Sequence, residues 1–242
     1  PRDDSSDIFR ALERECDDKG PAYIFGTGPS LDRVFDHTIP DDAVSVICNS
    51  IVRDDELLAH IDPDVLTFAD PVFHFGPSRY ADQFRQDAVS AILEYDCTAI
   101  VPDKFRDLLV CHCPDISGQV VGISGISSDT PIFPTSDRLD VMTTNNIMTR
   151  YMIPVASTLC DRVRVVGADG REESETYFWE HSDVGQYEDE LMQTAFETHP
   201  SFFRDRVYTE YYSRHVETMT EFIEYGEECG VTYESVTPSS IP

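Results

Sequence analysis

Short apolar runs alternate with amphipathic stretches along this chain. Ala22–Phe25, Val44–Cys48, Val65–Ala69, Thr98–Val101 and Val163–Val166 are compact and rich in Val, Ile and Phe. Their shortness and their lack of polar alternation predict strands buried on both faces. Between them the apolar residues take helical spacing. Ile8, Phe9, Leu12 and Cys16 predict a helix over about 6–18, stopped by Gly20-Pro21. Tyr80, Phe84, Val89, Ile92 and Leu93 predict another over 78–94. Residues 144–160 predict a third, with Pro154 as a kink. Two more, at about 187–197 and 201–226, lead to a last strand at 231–234. The stretch 103–142 is rich in Pro, Ser, Gly and Asp and reads as an irregular excursion with short strands such as Val120–Ile123. No repeat or linker divides the chain, so residues 1–242 are read as one domain.

Strands alternating with helices imply an α/β, Rossmann-like fold: a mostly parallel sheet with helices on both faces. Ligands of such sheets bind at the carboxyl ends of the strands. The polar residues just after the apolar runs are therefore the first candidates for chemistry: Gly26 to Ser30, Asn49-Ser50, Asp70, and Gly167 to Asp169.

Charge narrows the partners. The 242 residues carry 18 Lys+Arg against 46 Asp+Glu, a net charge of -28, yet 40% are hydrophobic, which is enough to build a core. Such a charge repels phosphate backbones and anionic lipid, which argues against nucleic acid or a membrane surface as partner. Only Lys19 and Lys104 are lysines. Dense carboxylate with almost no lysine is the pattern of a protein adapted to high salt. No run approaches the roughly 18 to 20 apolar residues of a membrane span, and no signal peptide is recognisable. The expected location is cytoplasmic, at the inner membrane face only through segments outside this chain; a homo-oligomer is compatible with all of this. The seven cysteines include no CxxC pair, and Cys111-His112-Cys113 alone cannot build a tetrahedral zinc site. Buried free thiols in a reducing compartment are expected.

Gly26-Thr27-Gly28-Pro29-Ser30 follows the first strand. Two glycines permit a sharp turn and close backbone approach to a ligand. A helix behind them would offer N–H groups to a phosphate or ribose. The motif is not G-x-G-x-x-G, because Leu31 holds the third glycine's place, and no Lys follows as in a Walker loop. Asp62-Pro63-Asp64 spells the D-x-D of metal-dependent glycosyltransferases, but it precedes a strand instead of ending one, so no metal site is expected there.

Phe25-Gly26-Thr27-Gly28-Pro29-Ser30-Leu31 resembles the G-x-G-P-S-L opening of the bacterial sialyltransferase-like family (glycosyltransferase family 42). It is also similar to the related family of 6-hydroxymethylpterin pyrophosphokinases and flagellin-glycosylation proteins. Cys48-Asn49 after the second strand looks like the sialyltransferase branch. Further short matches are Asp70-Pro71 with the aromatics after it, Thr143-Thr144-Asn145, Val166-Gly167-Ala168-Asp169, Tyr177-Phe178, and His215 ahead of the final helix and strand. The chain departs from the family at Thr27 and Asn145, where Asn and Gly are usual.

The resemblance implies a GT-A-like variant of the Rossmann-like fold. It also implies a nucleotide-sugar donor, a CMP-activated sialic-acid-like sugar, passed to a glycan acceptor without a required cofactor. Gly26, Thr27, Gly28, Pro29, Ser30, Asn49, Asp70, Thr144, Asn145, Gly167 and Asp169 would then line the donor site. Tyr177 would donate to the leaving phosphate, and His215 would be the general base, a role its ordinary pKa of about 6.5 suits. His181 and His199 are rivals for that role, and Asn49 and Asp70 also read as plain turn and cap residues. Two alternatives stay open: a pterin or nucleotide pyrophosphokinase using ATP and Mg²⁺, for which Asp70 and Asp169 are the carboxylates, and a non-catalytic nucleotide-binding module.

The charge yields a first expected outcome. The melting temperature should rise from low to molar potassium chloride as self-repulsion is screened; a flat or falling series refutes salt adaptation.

Overall fold

The computed structural model describes residues 2–169, 187, 189–200 and 208–238. Among them one sheet contains β1 (Ala22–Phe25), β2 (Val44–Cys48), β3 (Val65–Thr67), β4 (Thr98–Pro102), β5 (Val120–Ile126), β6 (Asp140–Met142), β7 (Arg162–Val166) and β8 (Thr232–Ser235). Their order in space is β6-β5-β4-β3-β2-β1-β7-β8, and every pairing is parallel. The chain works outward from β1 to β6, then returns to lay β7 against the other side of β1. Phe25 at the end of β1 is thus in register with Ile47 of β2 and with Val166 of β7. The sheet reverses its winding between β1 and β7, which is where such folds open a crevice.

The helices are α1 (Arg2–Cys16), α2 (Asp55–Ile61), α3 (Arg79–Tyr95), α4 (Asp103–His112), α5 (Ile153–Leu159), α6 (Asp189–Thr198) and α7 (Tyr208–Glu228). Successive strand residues feed opposite faces of the sheet. Ala22, Ile24, Val44 and Val46 pack with Phe9 and Leu12 of α1, Val155 of α5 and Phe222 of α7. Tyr23, Phe25 and Ile47 pack with Leu57 of α2, Phe84 of α3, Leu109 of α4 and Ala195 of α6. Two cores sandwich the sheet, which explains why the inner strands β1 to β4 are buried almost throughout. Local chemistry sets the helix starts. Asp54 accepts from the Leu57 N–H at 3.0 Å and Ser78 Oγ from the Ala81 N–H at 3.1 Å, capping α2 and α3.

Three elements differ from the sequence expectation. The stretch 103–142 is not an irregular excursion, for it holds α4, β5 and β6 and widens the sheet by two strands. Gly122 and Gly125 dilute the apolar pattern of β5. Gly122 is there because a Cβ would lie 3.0 Å from Asp103 Cα, so its absence lets the start of α4 approach the strand. The turn after β1 is a 3₁₀ segment, Pro29–Asp36, not an α-helix. The irregularity expected at Pro154 lies one turn earlier. Met148–Met152 is a π turn, and Pro154 occupies the first turn of α5, where its missing N–H is harmless.

Beyond β3 lies an aromatic block. The His74 ring stacks on Phe84 with centroids 4.2 Å apart and meets Phe68 edge-on. Its Nδ1 accepts the Asp70 N–H at 3.0 Å, so that nitrogen carries no proton. Burial pulls the His74 pKa from 6.5 down to about 3. The unfolded imidazole takes up a proton near pH 6.5 that the folded one refuses until about pH 3. Folding stability is therefore fully present above pH 6.5 and declines as the pH falls through that window. His74 should account for about 2 kcal/mol of stability lost between pH 6.5 and 5. Urea unfolding at several pH values checks this. His74→Gln, which retains an acceptor for the Asp70 N–H, should flatten the acid slope; an unchanged slope would show that His74 titrates normally.

Candidate functional site

Because every strand runs the same way, all the strand-end candidates lie on one edge of the sheet. At its centre the turns after β1 and β7 meet backbone to backbone. The Gly26 N–H donates to Val166 O at 2.8 Å and the Gly28 N–H to Gly167 O at 2.9 Å. A Cβ on Gly26 or on Gly28 would lie 2.6 Å from Gly167 O, and Gly167 has φ +71. These glycines are required by the approach itself, not by turn formation alone. Thr237, just past β8, ties the two turns together: its Oγ1 accepts the Gly167 N–H at 3.0 Å and the Ser30 hydroxyl at 2.9 Å.

Asp169 completes the junction. Its two carboxylate oxygens both lie 3.1 Å from the Ser30 N, which donates to them. Pro29 has no N–H, and the Leu31 N–H bonds to Gly28 O at 2.9 Å. The donors with which such a turn grips a phosphate are therefore filled by the protein's own groups. The expectation of exposed helix N–H groups here is corrected. The junction offers a close-packed floor, with Thr27 half-buried beside it.

The neighbouring strand ends add side chains. Asn49 leaves β2 with φ +51, a left-handed backbone that Asn tolerates better than most residues, and is half-buried. Its turn role is thus real. Asp70 caps the segment after β3, its Oδ1 accepting the N–H groups of Val72 at 2.7 Å and Phe73 at 3.0 Å. After β6, Thr144 Oγ1 donates to Asn146 O at 3.2 Å and accepts from Thr149 Oγ1 at 3.0 Å; Asn145 is exposed beside it. Asn146 Oδ1 accepts the Met148 N–H at 2.8 Å and so opens the π turn. The turn then runs along the edge: the Met148 methyl group lies 3.1 Å from where a Gly26 Cβ would be. Arg150 Nη2 lies 3.1 Å from where a Gly125 Cβ would be.

His215 is on α7, in line with Met219 and Phe222, which enter the core. The helix packs on the π turn, α5 and β8. From His215 to Glu228 the helix rises about 20 Å, whereas a five-residue strand such as β7 is about 17 Å long. His215 therefore stands level with the carboxyl edge. Its ring is half-buried, and Nδ1 is buried with no hydrogen-bond partner. Burial lowers its pKa to about 4, so the ring is neutral at pH 7 and able to accept a proton. Its rival His199 lies at the end of α6, beside Gly76 and on the other face of the sheet. Tyr177 and His181 lie outside the described residues.

Asp62-Pro63-Asp64 lies at the opposite edge, before β3. Asp62 ends α2, and Asp64 accepts the Ser45 N–H at 2.7 Å and pairs with Lys19. Among the described residues no three metal-ligating side chains converge, and no helix is long and apolar enough to cross a membrane. Cys16, Cys48, Cys97 and Cys160 are buried free thiols; Cys111 and Cys229 are exposed. Sequence patterns missed Met148, Arg150 and Thr237. Arg150 alone left a trace there, as the single charge in the apolar run 147–156.

No protein-family model matches this chain, and no curated protein matches it. Solved structures do. The monofunctional α-2,3-sialyltransferase Cst-I of Campylobacter jejuni superposes with a TM-score of 0.53 at 14% identity, covering 92% of this chain and 78% of that one. The sialyltransferase CstII of Campylobacter jejuni, solved with the substrate analogue cytidine-5'-monophosphate, gives a TM-score of 0.46 at 11% identity, covering 92% and 85%. At these identities the likeness to Cst-I is one of fold, and it agrees with the single parallel sheet described above.

The junction can be tested without a ligand. Gly167→Ala places a methyl against Gly26 O at a left-handed backbone and should cost about 2 kcal/mol or more. Gly118→Ala, where the added carbon meets nothing within 4 Å, should stay within about 0.5 kcal/mol of wild type. Urea midpoints read both; equal midpoints would mean that the two turns do not need their close approach.

Proposed function

We propose that this chain is a glycosyltransferase that moves a sialic-acid-like sugar from a CMP-activated donor to a glycan hydroxyl without a metal. The observation that carries the reading is spatial. The Gly-Thr-Gly-Pro-Ser-Leu segment lies at the β1/β7 switch point, and His215, neutral at pH 7 and with a buried Nδ1 that has no hydrogen-bond partner, stands at the same edge of the sheet. The family resemblance of that segment and the fold shared with Cst-I support it.

In this reading the acceptor hydroxyl oxygen attacks the anomeric carbon and its proton passes to His215. The bond from that carbon to the phosphate oxygen breaks, and the pair of electrons leaves with CMP. Tyr177 donates a hydrogen bond to the departing phosphate. An anionic donor beside the half-buried ring raises the His215 pKa back toward the neutral range, where a general base works best. Asn49 offers one acceptor and two donors to the base or ribose. Asp70 and Asp169, the carboxylates that an ATP and Mg²⁺ reaction would need, are already bonded to Val72, Phe73 and Ser30, so the pyrophosphokinase reading stands second.

Thermal shift with CMP, and separately with ATP plus Mg²⁺, tests the class. Stabilisation by CMP alone is expected; stabilisation by ATP with Mg²⁺ alone would overturn it. Asn49→Gly keeps the left-handed backbone and should weaken CMP binding roughly ten- to a hundred-fold. His215→Ala should lower turnover by about 10²–10⁴-fold with CMP affinity nearly unchanged. A dead His181→Ala beside an active His215→Ala would move the base to His181.

A further inference from the structure

Arg150 has a position that the reaction above does not explain. The chain has 46 acidic residues for 18 basic ones, and other arginines sit against carboxylates: Arg10 by Asp7, Arg106 by Asp107, Arg138 by Asp140, Arg164 by Glu234. Among the described residues Arg150 has no such partner. Its Nε is buried without a hydrogen bond. Gly125, Thr143 and Tyr151 lie beside the guanidinium, and Tyr151 interacts with it through its hydroxyl. Gly125 leaves open the space where a Cβ would stand 3.1 Å from Nη2 and 2.8 Å from Thr143 Oγ1, and the Tyr151 ring lies 5.4 Å from Cζ.

Arg150 is partly exposed, but its Nε is closed off from water and, among the described residues, no carboxylate lies against it, so its hydrogen-bonding capacity is left partly unused. The guanidinium is held by the π turn, at the ligand edge of the sheet and over the ends of β5 and β6. Its planar fork matches the oxygens of a carboxylate or a phosphate. A protein with net charge -28 also needs a local cation wherever it holds an anionic substrate.

We infer that Arg150, with the Thr143 hydroxyl beside it, binds an oxyanion of the substrate across the ends of β5 and β6. The occupant, a nucleotide phosphate or a carboxylate on the transferred sugar, rests on the function proposed above; the oxyanion subsite itself does not.

The test uses calorimetry at constant ionic strength with three probes: inorganic phosphate, CMP and free N-acetylneuraminic acid. The proteins are wild type, Arg150→Gln, Arg150→Lys and, as a charge control at the opposite edge, Arg162→Gln. At least one probe should bind wild type and weaken roughly ten- to a hundred-fold in Arg150→Gln, less in Arg150→Lys, and hardly at all in Arg162→Gln. Weakening confined to the phosphate-bearing probes identifies a phosphate, and weakening confined to the acidic sugar identifies a carboxylate. Should Arg150→Gln not fold, Arg150→Lys alone decides, because losing the fork should still cost several-fold. If CMP binds wild type and every Arg150 variant equally, and the other probes show no dependence on Arg150, the subsite is refuted while the nucleotide reading survives. If phosphate or the acidic sugar binds through Arg150 and CMP does not bind, the subsite survives and the nucleotide reading falls. If none of the three probes binds wild type, the subsite is refuted.

Discussion

The contact on which the rest of this structure depends is the meeting of two backbones, at Gly26–Gly28 and Gly167. Neither turn could carry a side chain there. Their approach allows β7 to pair along the full length of β1, which in turn fixes where the sheet changes its direction of winding. A sheet that stopped at β1 would have six parallel strands and an exposed edge. With β7 and β8 in place, the first strand becomes an inner one, and its carboxyl end faces turns from both directions. The polar strand ends converge because the strands are parallel, and the crevice sits at β1 because that is where the two halves join.

Electrostatics at this junction run against simple expectation. The turn after β1 has the glycines and the proline of an anion-binding turn, yet its anion is internal: Asp169 holds the Ser30 N–H. The protein thereby spends one of its many carboxylates on fixing the turn, and leaves recognition to groups further along the edge. Desolvation governs those groups. His74 and His215 both lose their proton affinity through burial, but to different ends. His74 has a backbone partner and is packed among Phe68, Phe75 and Phe84, which makes it a core residue. His215, like His199 on the other face, has a buried ring nitrogen without a hydrogen-bond partner, so no core bond fixes its ring.

How legible all this is from the chain alone depends on the range of the interaction. Strands β1, β2, β4 and β7 are visible as short runs dominated by apolar residues, such as Val44–Cys48 with Ser45 alone polar, although β7 also carries Arg162 and Arg164. Helix α3 is visible through the spacing of Tyr80, Phe84 and Ile92, and its Ser78 cap is local. Helix α4 escapes, and of strand β5 only Val120–Ile123 is legible, because the two are shaped by each other: the glycine at 122 has no visible reason until Asp103 is seen against it. The glycine turn itself is a local motif, and so is the left-handed Asn49. The bond from Asp169 to Ser30 joins residues 139 positions apart, and Thr237 reaches Ser30 across 207. No local pattern encodes such pairings. Arg150 is intermediate: its charge stands out in an apolar run, but the turn that aims it is visible only in three dimensions.

That turn has a genetic meaning. A π turn is an α-helix that has accommodated an inserted residue. Each residue in a helix accounts for roughly 100° about the axis, so one insertion rotates everything ahead of it while the packed helix behind, here α5, keeps its seat. The segment Met148–Met152 thus behaves as a rotary joint between a fixed core helix and the working edge of the sheet. A single codon gained or lost there would exchange the side chain presented beside Gly125 and leave Val155 and Ala156 where they are. The edge can be re-equipped by the smallest in-frame change a gene can make, without renegotiating the core.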